Sequence, residues 1–284
     1  MSASRARAFL EQHGLAAHRD RGQNFLHDER QAERLVTLAG VTPEEGVIEI
    51  GTGLGMLTRV LAAHARRVET IEIDAGLVRA LEATGLPANV RLHHADALEL
   101  DLAGLLRELG APARVVANLP YSVATPLLRR FLELGTGVRG VAVMVQRELA
   151  QRIRARPGSP DYGSLAVIHA WTMTFGEAID LPASCFFPAP QVTSTFLCMS
   201  PRETGLEHEE FAAYEAVLRA GFGHRRKTLV NSLARAADIE GSRTVAALRE
   251  IGIAERVRAE QLDPGQWLAL ARRLVERRSE PSPP

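Results

Sequence analysis

Val47-Ile48-Glu49-Ile50-Gly51-Thr52-Gly53-Leu54-Gly55 decides the fold. An apolar run too short for a helix ends in three alternate glycines, and an amphipathic segment follows from Leu54 to Ala65. This predicts a strand, a tight loop and a helix. The same alternation continues outward. Val68–Ile73, Val90–His93, Arg114–Ala117 and Val141–Val145 read as further strands. Asp74 is placed to cap a helix, and Thr125-Pro126 suits the N-cap and first position of another that Gly135 would end. Strands alternating with helices predict an α/β fold, a parallel sheet covered on both faces. Two later β-rich runs, Leu165–Phe175 and Ser194–Met199, are joined by a Pro-rich loop and predict a hairpin closing one sheet edge. From Leu206 to Val275 only helical periodicity remains. Two domains are expected, 1–200 and 201–284, the second small and helical, with its last residues, ending Pro281-Ser282-Pro283-Pro284, disordered.

Composition narrows the function classes. The 284 residues carry 34 basic and 34 acidic side chains, so bulk charge gives no support for nucleic-acid binding and only local patches can. Lys227 is the one lysine among many arginines. Cys185 and Cys198 are too few for a disulfide scaffold or zinc site and read as free thiols. No apolar signal segment opens the chain, and the uncharged stretch 181–201 contains four prolines, which make it a poor spanning helix. An intracellular protein of the cytoplasm, with no membrane partner and no metal, is expected.

Ligands of open α/β sheets bind beyond the carboxyl ends of the strands. Glycines there let the backbone approach a ligand and take positive φ. A dinucleotide fingerprint wants a glycine where this chain has Met56. The acidic-x-Gly-x-Gly-x-Gly form of Glu49 to Gly55 instead points to S-adenosylmethionine, with Glu49, Gly51 and Gly53 in the binding loop. Glu72, at the end of the second strand, is placed to accept the ribose hydroxyls, and Asp96 to accept from the adenine amine.

Asn118-Leu119-Pro120-Tyr121 ends the fourth strand. An adenine exocyclic amine is a poor nucleophile, its lone pair being delocalised into the ring. Two acceptors aimed at its hydrogens, the Asn118 side-chain oxygen and the Leu119 carbonyl, would draw the nitrogen toward a tetrahedral shape. Pro120 fixes the turn and Tyr121 can stack on the base.

With these motifs in place, the chain from Arg21-Gly22-Gln23-Asn24-Phe25-Leu26 to about residue 270 resembles the ribosomal RNA adenine dimethylases, and among them the branch acting on small-subunit (16S) rRNA. The match includes Gly223-His224-Arg225-Arg226-Lys227-Thr228-Leu229. The resemblance implies a Rossmann-like S-adenosylmethionine-dependent methyltransferase with a small C-terminal helical domain. It implies N6-dimethylation of two adjacent adenosines, in a hairpin near the 3′ end of the rRNA, during small-subunit biogenesis. It places cofactor contacts on Gln23, Asn24, Leu26, Gly51, Glu72, Asp96 and Asn118, and target-base contacts on Asn118, Leu119, Tyr121 and a phenylalanine of the Pro-rich loop. Phe186 aligns with the family aromatic, Phe187 is its neighbour, and which of them stacks is open. The usual Phe-x-Pro-Pro-Pro-Lys-Val-Asp-Ser reads Phe186-Phe187-Pro188-Ala189-Pro190-Gln191-Val192-Thr193-Ser194 here, without the Lys and Asp. RNA contact is expected at Arg225, Arg226 and Lys227, in an acid-free stretch from 216 to 237. A second basic cluster, Arg147, Arg152, Arg154 and Arg156, reads equally as a solvated face. The substrate implied is rRNA within an assembling 30S particle, and a monomer is expected. The competing readings are a resistance-type large-subunit dimethylase, which generally has Ile at the second tetrapeptide position, a DNA adenine methyltransferase, which prefers Pro there, and a non-catalytic RNA-binding or transcription factor on the same fold.

Overall fold

The computed structural model describes residues 2–18, 22–110, 112–205, 208–224, 226–237 and 239–276. In chain order, helix α1 (Ala3–Gln12), strand β1 (Phe25–Leu26) and helix α2 (Glu29–Ala39) precede the alternating region. That region runs β2 (Gly46–Ile50), α3 (Met56–His64), β3 (Arg67–Glu72), α4 (Ala75–Thr84), β4 (Val90–His94), α5 (Leu102–Leu109), β5 (Ala113–Asn118), α6 (Ala124–Glu133) and β6 (Gly140–Gln146). Helices α7 (Arg147–Ile153) and α8 (Ser164–Thr172) follow, then β7 (Met173–Leu181), β8 (Phe186–Phe187) and β9 (Ser194–Pro201). The chain ends with α9 (His208–Phe222), α10 (Leu229–Ala236), α11 (Gly241–Glu250) and α12 (Pro264–Glu276).

Seven strands form one sheet in the order β4-β3-β2-β5-β6-β9-β7. β2 to β6 are parallel, and β9 and β7 close one edge antiparallel. All of β2 is buried, as expected for a strand covered on both faces. The order reverses between β2 and β5, so a crevice opens beyond their carboxyl ends. Caps written in the sequence set the helix starts. Asp74 accepts from the backbone N–H of Gly76 and Leu77, and Asp28 does the same at α2.

Two expectations are corrected. Helix α6 starts at Ala124 with Val123 at the cap, so Thr125 and Pro126 lie inside the first turn. A proline is tolerated there because that turn's N–H groups have no intrahelical acceptor. The stretch Leu165–Phe175 is mostly helix α8, and the edge strand begins only at Met173. Ala166, Val167, Ile168, Trp171 and Thr172 are all buried, so α8 lacks the polar stripe that would mark its period.

The chain divides into two compact units, Met1–Ala150 with Met173–Arg202, and Gln151–Thr172 with Glu203–Pro284. This differs from a division at residue 200 because the segment containing α8 belongs with the helical unit. Trp171 donates to the Pro264 carbonyl at 2.6 Å, and Tyr162 to the Leu262 carbonyl at 2.8 Å. Trp267, 0% exposed, is the centre of that unit's core. It stacks on Phe222 at 5.2 Å and donates to the Ala259 carbonyl. The disorder expected of 281–284 falls outside the described residues.

Gly221 faces the Trp267 ring so closely that a Cβ would overlap it. Gly221→Ala should destabilise the helical unit by about 1–3 kcal/mol, the usual result of overpacking. Thermal denaturation should show the drop, and an unchanged midpoint would mean that Trp267 has room to move.

Candidate active site

The glycine loop is shaped by backbone and held by side chains. Gly51, Gly53 and Gly55 have φ of 80°, 56° and 75°, a region that side chains other than glycine's rarely enter. Beneath the loop lies a buried chain of hydroxyls. Thr58 and Thr70 each donate to Glu49 Oε2 at 2.7 Å. Because the Thr70 hydroxyl hydrogen is directed to Glu49, the 2.7 Å contact with Thr52 is a donation from the loop residue. Glu49 is 0% exposed and its Oε1 has no hydrogen-bond partner. Burial pushes its carboxyl up to about 8, against the threonine bonds that lower it, with the charge of Glu72 adding to the rise. Glu49 does not line the cleft above it. It fastens the loop to β3 and α3.

Glu72 is aimed by two main-chain donors. The N–H of Gly53 reaches Oε2 and that of Asp74 reaches Oε1, both at 2.9 Å. Each oxygen keeps a further acceptor site, enough for a pair of vicinal hydroxyls. Burial raises this carboxyl too, against those same two bonds, which lower it. Asp96 accepts from the Leu98 N–H at 2.8 Å. Ile73, directly after Glu72 and 61% exposed, is an apolar side chain that lines the same cleft as the two acids.

Asn118 is oriented by one bond. Its Nδ2 donates to the Asn24 carbonyl at 2.9 Å. A carbonyl can only accept, so the amide nitrogen must point there and Oδ1 must point away from it. Asn24 is held in turn by donating to the Gly22 carbonyl at 3.1 Å, and Gln23 accepts from the His18 N–H at 2.8 Å. Leu119 is 2% exposed, so its contribution to the site is its backbone. The Tyr121 hydroxyl bonds Ser194, and burial raises its pKa while that bond lowers it.

One cleft of about 580 Å³ gathers Gln23, Asn24, Leu26, Gly51, Gly53, Glu72, Asp96, Asn118, Leu119 and Tyr121. Two expected residues are not in it. Glu49 is one. Phe186 is the other: it is 2% exposed in the main core, because β8 pairs with β1 and sets Phe186 opposite Leu26. Phe187 packs instead beside α1, with the Arg7 guanidinium 5.5 Å from its ring centre. Of the three aromatic residues considered for stacking, Tyr121 is the one that lines the cleft with Asn118. Sequence reasoning missed Thr52, Thr58, Thr70, Ile73 and Ser194. Polar residues at inward strand positions, and an isoleucine directly after the acid of Glu72, were the available signals.

Arg226 and Lys227 are exposed in the turn between α9 and α10, while Arg225 lies outside the described residues. Among the described residues there is no cluster of three or more His, Cys, Asp or Glu able to hold a metal, and no helix long and apolar enough to cross a membrane. Cys185 and Cys198 are free.

A glycine loop, an acid at the end of the neighbouring strand, a second acid and an exposed apolar side chain in one cleft suit a nucleoside with a short charged tail. This sheet, closed by an antiparallel edge, and this cleft define an S-adenosylmethionine-dependent methyltransferase. The family model described as ribosomal RNA adenine dimethylase matches residues 14–276. A ribosomal RNA small subunit methyltransferase A from Shouchella clausii is 37% identical over 277 residues, covering 94% of this chain and 93% of its own. One from Magnetococcus marinus is 38% identical over 275 residues, covering 94% and 95%. Among solved structures, a dimethyladenosine transferase from Plasmodium falciparum superposes with a TM-score of 0.73 at 23% identity, over 89% of this chain and 97% of that one. The 23S rRNA methyltransferase ErmE does so at 0.63 and 28% identity, over 89% and 100%. The chain belongs to the ribosomal RNA adenine dimethylase family.

Glu72→Ala should weaken S-adenosylmethionine binding by about 1.5–3 kcal/mol, the worth of hydrogen bonds to a charged group. Calorimetry reads this directly, and unchanged affinity would remove Glu72 from the ribose site. Glu49 gives a prediction in pH. An acid whose folded pKa is raised binds more protons folded than unfolded, so stability falls as pH rises from the ordinary value of 4.5 toward about 8. Glu49→Gln should flatten that decline in melts taken from pH 5 to 9. A variant with the wild-type slope would place the titration elsewhere.

Proposed function

We propose that the protein dimethylates the N6 amines of two adjacent adenosines in a hairpin near the 3′ end of small-subunit rRNA, with S-adenosylmethionine as methyl donor. The observation that carries this reading is the pinned Asn118 amide, which lines the same cleft as the glycine loop with its nitrogen turned to the Asn24 carbonyl. Supporting it, the relatives named above as small-subunit enzymes match at 37–38% identity, against 28% for the large-subunit enzyme ErmE. The large-subunit reading is not favoured, and the intact tetrapeptide and loop oppose a non-catalytic role.

When bound, S-adenosylmethionine supplies an electrophilic methyl on sulfur. The chain's own residues do the rest. Glu72 takes the ribose hydroxyls, Asp96 the adenine amine, and Ile73 packs on the adenine. Gln23, Asn24, Leu26, Gly51 and Gly53 complete the walls of that half. Asn118 Oδ1 and the Leu119 carbonyl each accept one hydrogen of the target amine, which localises its lone pair. Tyr121 stacks on the target base. Positioning then supplies most of the rate. We assign Arg226 and Lys227, with Arg225 beside them, to phosphate contacts that orient the RNA and read no bases. The first unit is the catalytic domain and the helical unit the RNA-contacting one. The working form is a cytoplasmic monomer acting on an assembling 30S particle.

Purified small subunits and naked rRNA, each incubated with radiolabelled cofactor and mapped for modified nucleotides, test the reading. Label confined to adjacent adenosines of the small-subunit particle is the expected result, and label on large-subunit RNA would overturn it. Asn118→Ala should lower turnover at saturating cofactor by roughly a hundred- to a thousandfold, as for loss of one preorganised hydrogen-bonding group. RNA affinity should barely change, because phosphate contacts dominate it. Near-wild-type turnover would make Asn118 structural only.

A further inference from the structure

Tyr121 lines the cleft, yet what holds its ring lies outside it. Its hydroxyl bonds Ser194 Oγ. Ser194 is 1% exposed at the start of β9, paired with Gln146 of β6 on one side and Leu181 of β7 on the other. The antiparallel edge of the sheet thus fixes a buried hydroxyl, and that hydroxyl fixes the phenol. Without it the ring keeps its aromatic face but gains freedom to rock about its side-chain torsions.

We propose that Ser194 is a positioning residue for the Tyr121 ring, and that this tether governs how completely the second methyl is added to each adenosine. The proposal rests on the dimethylase reading above. In each transfer an N6–C bond forms as the methyl's bond to sulfur breaks. The electron pair of the broken bond stays on sulfur, giving the neutral thioether, and one N6 proton leaves to water. The unmodified amine presents two hydrogens, one to Asn118 Oδ1 and one to the Leu119 carbonyl. The monomethylated amine presents one. Half of the polar constraint on the nitrogen is therefore gone before the second transfer, and orientation of the base falls to the stacked ring. Loss of the tether should harm the second step more than the first.

The test uses the full chain, small subunits lacking these methyl groups, and a time course of mono- and dimethyladenosine measured by mass spectrometry of digested RNA. Wild type, Ser194→Ala, Tyr121→Phe and the double variant are compared, with melting temperature and S-adenosylmethionine affinity recorded for each. Ser194→Ala should lower the ratio of second- to first-step rates by about three- to tenfold, the range set by one hydrogen bond. Tyr121→Phe should match it, and the double variant should be no worse than either, because both remove the same bond. Cofactor affinity should not move. A ratio equal to wild type, an equal fall in both steps, or additive effects in the double variant would overturn the tether. Should Ser194→Ala fail to fold, Tyr121→Phe carries the comparison, since it deletes the bond from the cleft side. Failure of the wild type to form any dimethyladenosine would overturn the dimethylase reading itself, and the tether with it.

Discussion

Everything in the cleft depends on holding a flexible loop of glycines in one shape, and the buried Glu49 carboxyl is what does so. A loop with three positive-φ glycines has more conformational freedom to lose than one built of other residues. Thr52 is its one side chain tied downward, through Thr70 to Glu49 Oε2, which also receives Thr58 at the start of α3. Strand, loop and helix are thereby joined at one oxygen. The loop can then offer the Gly53 N–H to Glu72 and so aim the acid proposed above to take the cofactor's ribose hydroxyls. A protonated carboxyl suits this place better than a charge, since burial disfavours the anion and the charge of Glu72 adds to that. The arrangement also explains why the acidic position of the loop pattern is not itself in contact with the cleft.

Much of this was legible in the sequence, for identifiable reasons. The five parallel strands announced themselves as short apolar runs bounded by turn residues, and the glycine spacing placed the cleft at their carboxyl ends. Most residues expected there do meet in it, from Gln23 to Tyr121. What could not be read falls into two kinds. Helix α8 is buried on nearly every side, so its apolar run carries no period and mimics a strand. Phe186 sits in β8, whose direction depends on pairing with β1 from the far N-terminal side, a contact across some 160 positions that local pattern cannot reveal. The tying of Tyr121 to Ser194 is of the same long-range kind.

The identity of residue 118 follows from what stands behind it. Its neighbour is the Asn24 carbonyl, an acceptor with no proton to give. An aspartate there would set carboxylate oxygen against carbonyl oxygen, losing the bond and adding repulsion. A leucine of similar shape would leave the carbonyl without a donor and, on the reading proposed above, one hydrogen of the target amine without an acceptor. A glutamine could still donate, but one more methylene would carry its oxygen out of position, and displacements of that order are enough to spoil a reacting geometry. Only a short side-chain amide has a donor for the carbonyl behind and an acceptor for the amine in front. On the reading proposed above, the segment from Gly22 to Asn24 positions Asn118, because it determines which end of that side chain can face a substrate.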